Sequence, residues 1–285
     1  MMTVKDGLKY LIVFTVVLVL SIGVSLKAAD SLTGEEILEK VDKQQEVITQ
    51  GDLVSILTFK IKYPDGTTTT RKFGSLARKK AGKPDRTLIY YLKPESVRGS
   101  MLLSRETKEG KTEMWLLLAA FPKPKKLPSA QKQKSFAGST LTFQEIGNRN
   151  MNERYKGELV TETEIEIGEE TVPAYLLELR AEEGVETRYP RGKVWVGKEN
   201  WLILRSEDYN SDGKLERILE VKELTTFEGK TVMKKLYSKN VLDGSATTII
   251  FENRHRPDKS FPPRLFKPEN LTEFDPEKWG ITQTK

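Results

Sequence analysis

From Leu53 to Tyr63 the odd positions hold Leu53, Ser55, Leu57, Phe59, Ile61 and Tyr63, with Lys60 and Lys62 opposite them. A period of two is the signature of a strand with one face buried, and it recurs down the chain. Thr161, Thr163, Ile165 and Ile167 alternate with Glu162, Glu164 and Glu166, and Tyr175, Leu177 and Leu179 alternate with Glu178 and Arg180. Further runs cover 67–77, 87–92, 100–104, 192–196, 201–209, 215–225, 231–238 and 246–252. Asp65-Gly66, Asp212-Gly213 and Asp243-Gly244 supply hairpin turns between them. One long helix stands against these strands. Thr33 and Glu36 form a capping box, Leu32 is placed to staple onto Ile37, and Gly51 ends the segment. Roughly ten or eleven antiparallel strands with so little helix must curl or close. The expected fold is therefore mainly β: a half-open antiparallel β-barrel with an N-terminal amphipathic helix and a flap acting as lid.

That flap lies in the middle of the chain. An apolar run, Met114 to Phe121, reads as a strand buried on both faces and breaks at Pro122 and Pro124. Lys123, Lys125, Lys126, Lys132 and Lys134 follow with no acid among them. The stretch ends in Ser135-Phe136-Ala137-Gly138-Ser139 and a short alternating run through Leu141 and Phe143. A Pro/Lys-rich segment of this length is too polar for a core and too long for a tight turn, which makes it a basic, mobile cover at a rim.

The first 29 residues carry the marks of a signal peptide: Lys5 and Lys9, an uncharged run from Leu11 to Leu20, and small residues at Ala28-Ala29. An uncleaved inner-membrane anchor is the alternative, since the apolar stretch is nearly long enough to span. Residues 30–272 then form one β domain and 273–285 a polar tail. A periplasmic location follows from this reading. With no cysteine in the chain, the fold needs no disulfide. The net charge of +6 is unevenly spread. Between Glu158 and Glu186 there are ten Glu and one Arg, while the flap is basic. Without a nucleic-acid motif, anionic headgroups fit these lysines better than nucleic acid does; solvated lysines guarding sheet edges are the plainer reading.

Chemistry finds few residues. His255 is the sole histidine and sits at a polar strand end, so a Ser-His-Asp triad or a transition-metal site lacks its parts. Asp208 to Gly213 matches half of a calcium loop, but Leu219 occupies the position of the bidentate Glu, and a hairpin turn accounts for it better. No cofactor is expected. An enzyme, a hydrolase on envelope sugar or lipid, is the least favoured class.

Val97-Arg98-Gly99-Ser100 with Leu102, Glu113-Met114-Trp115-Leu116-Leu117, and Ser135-Phe136-Ala137-Gly138-Ser139 together resemble the outer-membrane lipoprotein-sorting protein family, the LolA-like carriers. The resemblance implies a hydrophobic cavity under a helical lid and traffic of lipid or lipidated protein across the periplasm. It departs from the family at Ala119-Ala120-Phe121-Pro122 and at Lys125-Lys126, where an Arg pair is usual. On this reading Leu57, Phe59, Ile61, Trp115 and Leu117 line the cavity and Phe136 and Phe143 anchor the flap. Lys125 and Lys126 meet headgroups or a partner. The function expected is a monomeric periplasmic carrier or chaperone that binds acyl chains during envelope transport and outer-membrane biogenesis. The alternative is a non-enzymatic adaptor with a filled barrel, docking on an inner-membrane transporter of the resistance-nodulation-division type.

Overall fold

A computed structural model describes residues 32–80, 83–121, 123–147, 151 and 153–282. The signal-peptide reading of 1–29 lies outside them. Among the described residues no helix is long and apolar enough to cross a membrane.

The helix forms where its cap places it. In α1 (Gly34–Thr49) the Thr33 hydroxyl accepts from the Glu36 amide, the Glu36 carboxylate accepts from the Thr33 amide, and Gly51 follows with φ +88°. These contacts satisfy amides that the first turn would otherwise leave open.

Among the described residues thirteen strands follow: β1 (Gly51–Lys62), β2 (Thr68–Lys80), β3 (Lys83–Lys93), β4 (Met101–Glu106), β5 (Thr112–Leu117), the two-residue β6 (Lys125–Lys126), β7 (Tyr155–Ile167), β8 (Glu170–Ala181), β9 (Arg191–Gly197), β10 (Ile203–Tyr209), β11 (Leu215–Phe227), β12 (Lys230–Asn240) and β13 (Ala246–His255). They make one antiparallel sheet in the order β6-β5-β4-β3-β2-β1-β13-β12-β11-β10-β9-β8-β7. Two meanders thus meet where β1 pairs with β13, and β6 and β7 are left as free edges. The sheet curls without closing, with bulges at Ile56/Leu57 and at Val221/Glu223.

Parity divides the side chains into three clusters. On the inner face Leu57, Phe59, Phe73, Tyr91, Val221 and Ile249 are buried together. At the β7–β9 end Ile37, Leu38 and Val41 of α1 pack on Leu177, Leu179, Val194 and Val196. The helix sits close enough that a Cβ on Gly34 would lie 2.2 Å from the Gly157 carbonyl oxygen, so Gly34 must be glycine for the helix to approach β7 this closely.

The third cluster lies on the outer face, with Val54, Leu76, Leu88 and Leu103 against the C-terminal segment. Three short 3-10 turns, Pro263–Phe266, Pro268–Glu273 and Glu277–Trp279, lay Phe261, Phe266, Leu271, Trp279 and Ile281 on the sheet. A Cβ on Gly74 would lie 2.2 Å from Ile281 Cγ2, so the glycine makes room for the tail. The segment read as polar from 273 onward buries Trp279 and Ile281.

Two further expectations change. The apolar strand stops at Leu117, leaving Leu118 and Phe121 exposed. The alternating run at Leu141–Gln144 is instead the start of a short helix, α3 (Phe143–Gly147), which follows the single turn α2 (Ser129–Lys132) and has a second capping box between Thr142 and Glu145. The cap chemistry overrides the two-residue alternation.

Candidate functional site

The flap, residues 118–147, starts along one edge of the sheet, which its β6 forms, and the chain returns at the other. Beyond β6 it leaves the rim. Its turn Phe136 to Leu141 dips onto the inner face, closed by Phe136 N–H donating to the Leu141 carbonyl at 2.7 Å and shaped by Ala137 and Gly138 at φ +52° and +78°. Phe136 is 1% exposed and has ring contacts to Phe59, Phe73, Tyr91 and Phe143, at centroid distances of 6.1, 5.2, 5.8 and 5.6 Å.

Polar contacts fix this turn to the sheet. The Thr140 hydroxyl donates to Ser238 Oγ at 2.8 Å, and the Thr140 amide donates to Thr247 Oγ1 at 3.0 Å. Arg217 of β11 donates to the Thr140 carbonyl at 3.2 Å and bridges Asp208 of β10, at 2.7 Å, and Glu145 of α3. The Arg217 guanidinium also lies 4.5 Å from the Tyr189 ring centroid.

These charges are deeply buried. Burial alone would lower the Arg217 pKa, but Asp208 and Glu145 reverse that and hold it well above the usual arginine value. Burial works to raise Glu145, and Arg217 and Thr142 outweigh it, leaving the carboxyl below its ordinary value. For Asp208 burial wins over Arg217, and the carboxyl is pushed up. One cation thus holds two acids of unlike proton affinity, joining flap to sheet.

Between flap, helix and sheet is a cavity of about 400 Å³. Val41 and Ile48 of α1, Leu57 and Ile249 of the sheet, and Phe136 and Ile146 of the flap contribute to its wall. This is within the range of roughly 300–1,000 Å³ typical of small-molecule pockets, and its lining is mainly apolar in the same way. At one end the wall turns polar, with Gln133, Arg154, Thr187 and Arg188. A charged groove adjoins it, where Glu39 and Glu46 of α1 stand with Lys79, Lys80 and Lys83. Asp42, Lys79, Asp85 and Glu106 belong to both.

Of the residues expected in the site, Leu57, Phe59 and Phe136 are in the cavity wall. Ile61 belongs to the same inner cluster and Phe143 packs against it, but neither lines the cavity. Trp115 and Leu117 face the other way, in the outer cluster. An apolar run buried on both sides carries no alternation from which to read its parity. Lys125 and Lys126 are exposed on the edge strand β6, where Lys125 Nζ lies 5.9 Å from the Phe121 ring centroid and Lys126 Nζ lies 5.6 Å from that of Trp115. His255 ends β13. Asp208 to Gly213 is a hairpin turn in which Asn210 Oδ1 accepts from the Asp212 and Lys214 amides, both at 3.1 Å, while Asp208 serves Arg217. Among the described residues no group of three His, Cys, Asp or Glu side chains is arranged to hold a metal.

The sequence reading missed Arg154, Arg217, Asp208 and Glu145. For two of them a signal existed. Arg217 shares parity with Leu219 and Val221, and Asp208 with Leu204 and Ser206, so both are charges on a face that is otherwise buried.

Comparison with known proteins bears on the same architecture. A protein-family model described as "-like: Uncharacterized protein" matches residues 83–273. No curated protein sequence matches the chain. Among solved structures, a DUF1329 family protein from Desulfovibrio piger superposes with a TM-score of 0.76 at 24% identity, covering 85% of this chain and 100% of that one. A candidate outer membrane lipoprotein-sorting protein domain from Vibrio parahaemolyticus gives 0.74 at 20% identity, covering 84% and 98%. A LolA superfamily protein from Nitrosomonas europaea gives 0.65 at 18%, covering 83% and 98%. The chain has the LolA-like fold that these structures share.

Proposed function

This chain belongs to the uncharacterized-protein-like family whose model spans residues 83–273, and from its LolA-like fold and its cavity we propose a carrier that holds lipid acyl chains. The chains would come from free lipid or from the anchor of a lipidated protein, and the carrier would work in the periplasm. The observation that carries this reading is the cavity of about 400 Å³ left between the flap and the inner face. A core closed for stability alone would be filled, because protein interiors pack as tightly as organic crystals.

Leu57 and Phe59 form the floor of the binding site and Phe136 its roof. Ile61 and Phe143 back that lining without touching the cargo. Each methylene moved from water into such a wall contributes about 0.8 kcal/mol, so a single chain supplies ample affinity with no catalytic group. Lys125 and Lys126, outside the cavity, are the points that meet an anionic membrane or a partner. Trp115 and Leu117 serve the outer face. An open interior favours the carrier over an adaptor with a filled barrel.

The experiment is native mass spectrometry and lipid extraction on protein recovered from the periplasm, with a fluorescent fatty-acid titration alongside. Co-purifying lipid and saturable uptake of the probe are expected. Empty protein that ignores the probe overturns the reading.

A further inference from the structure

Arg154 is 9% exposed, and its Nε has no hydrogen-bond partner. Its Nη2 donates to a neutral hydroxyl, Thr187 Oγ1, at 3.2 Å, and its guanidinium lies 5.4 Å from the Tyr155 ring centroid. No carboxylate of the described residues forms an ion pair with it. Arg78 and Arg217 differ in this respect. Arg78 grips Asp52 through two hydrogen bonds, at 2.6 and 2.8 Å, and Arg217 holds two acids. Asp208 and Glu145, whose charges reach the neighbouring Tyr155, are both engaged by Arg217.

A guanidinium taken out of water without an anion is costly. Chance burial at a flexible position would let it swing outward, but the backbone here is fixed on both sides. The Arg154 amide donates to the Met151 carbonyl at 3.1 Å, and its own carbonyl accepts from the Glu182 amide at 2.9 Å. The side chain is held in the wall of the cavity, at the polar end where Gln133 and Thr187 also lie. The same cavity is also lined by Leu179, Val194, Ile249 and Leu57.

We infer that Arg154 binds the head of the cargo: it receives the carboxylate or phosphate of a single-chain anionic amphiphile whose tail runs along the apolar wall. The planar fork of a guanidinium matches two oxygens of either group. The volume is near the lower end of the usual pocket range, which fits one chain rather than two. This inference rests on the carrier reading and adds the class of cargo to it.

Calorimetry on the full chain separates the two. Palmitate is expected to bind at least tenfold more tightly than methyl palmitate. Arg154→Met should erase that preference while leaving the methyl ester affinity unchanged, and Arg154→Lys should restore part of it. Arg205→Met, which removes a guanidinium outside the cavity and already paired with Glu207 and Glu220, should keep the preference. 1-Palmitoyl lysophosphatidate in place of palmitate distinguishes a phosphate head from a carboxylate, and either one exceeding the ester supports the subsite. Equal binding of acid and ester by the unaltered protein overturns the head site while the cavity stands. Binding of neither overturns both. Should Arg154→Met fail to fold, Arg154→Lys decides, because it keeps the charge and loses the fork: an undiminished preference refutes the assignment. A merely structural Arg154 would lower Tm and weaken acid and ester alike.

Discussion

Each face of the β1–β5 half of the sheet is covered by a piece of chain that is not a strand, and the two covers are built differently. The outer one, residues 261–282, is attached by large apolar side chains: Phe261, Phe266, Leu271, Trp279 and Ile281 are all nearly or wholly inaccessible. Its polar anchor is single and compact, with Asp52 accepting both from Arg78 and from the Phe261 amide at 2.7 Å. The inner cover is attached by hydroxyls and by the Arg217 network, with Phe136 as its main apolar anchor, and a cavity remains beside it. Apolar contact is non-directional and fills space. Hydrogen-bonded attachment is directional and can hold a segment at a distance, leaving a void. On the carrier reading proposed above, the contrast makes the tail structure and the flap the working surface.

The sharpest way to break that comparison is to weaken the tail. Phe266→Ala removes a fully buried ring from a tightly packed cluster and is expected to cost about 4 kcal/mol in urea unfolding, with fatty-acid affinity unchanged in the folded fraction. If affinity falls with it, the two covers are coupled and the distinction fails.

Next in size is Arg217→Met, which strands two acids in the interior at a cost of about 3 kcal/mol. Here the loss should be local. Hydrogen exchange should accelerate at 136–147 while the tail stays protected, and uniform acceleration would count against separate attachments.

Asp52 and Asp208, the aspartates that serve the two covers, respond oppositely to pH. In Asp52, burial tends to raise the pKa, and Arg78 together with the Phe261 amide lowers it overall. The stability it confers is therefore complete above the ordinary aspartate value of about 3.9 and is lost as pH falls through the lower folded value. Asp208, raised by its burial, contributes most below that ordinary value, and the contribution is lost as pH rises through its folded one. Asp52→Asn should then cost about 2 kcal/mol at neutral pH, whereas Asp208→Asn, which keeps the Arg217–Glu145 pair, should cost well under 1 kcal/mol. Equal losses would show that Asp208 is charged and fully repaid by Arg217. A further change, Ile249→Phe, grows into the cavity. It should shift unfolding by about 1 kcal/mol in either direction while abolishing probe uptake, and unimpaired uptake would place the cargo elsewhere.

Much of this was readable in advance. The alternation at 53–63 and 161–167, the Thr33/Glu36 cap and the Asp-Gly turns are local signals, and local rules resolved them. Leu57 and Phe59 reached the cavity wall because their strand has a polar alternate face at Lys60 and Lys62 to set the parity. Trp115 and Leu117 lacked that reference. A short turn or helix at Pro262 to Pro268 is legible in the sequence, but the burial of the tail is not, because Pro262, Pro263, Pro268 and Pro276 break it into 3-10 turns whose apolar residues follow neither a period of two nor one of 3.6. The Arg217 network joins residues 72 positions apart, and no rule of spacing links Glu145 to Arg217.

The seam between β1 and β13 has a consequence for how the molecule comes together. Every other pairing in the sheet joins chain neighbours, but here Thr58 meets Glu252 across 194 positions. A polypeptide emerging from its N-terminus can fold each meander early, yet the first long strand waits, unpaired on one side, until almost the last one arrives. Loop closure over such a distance is slow. The trough that would hold a hydrocarbon tail therefore exists only after nearly the whole chain has been delivered, so a partly emerged chain cannot yet carry anything.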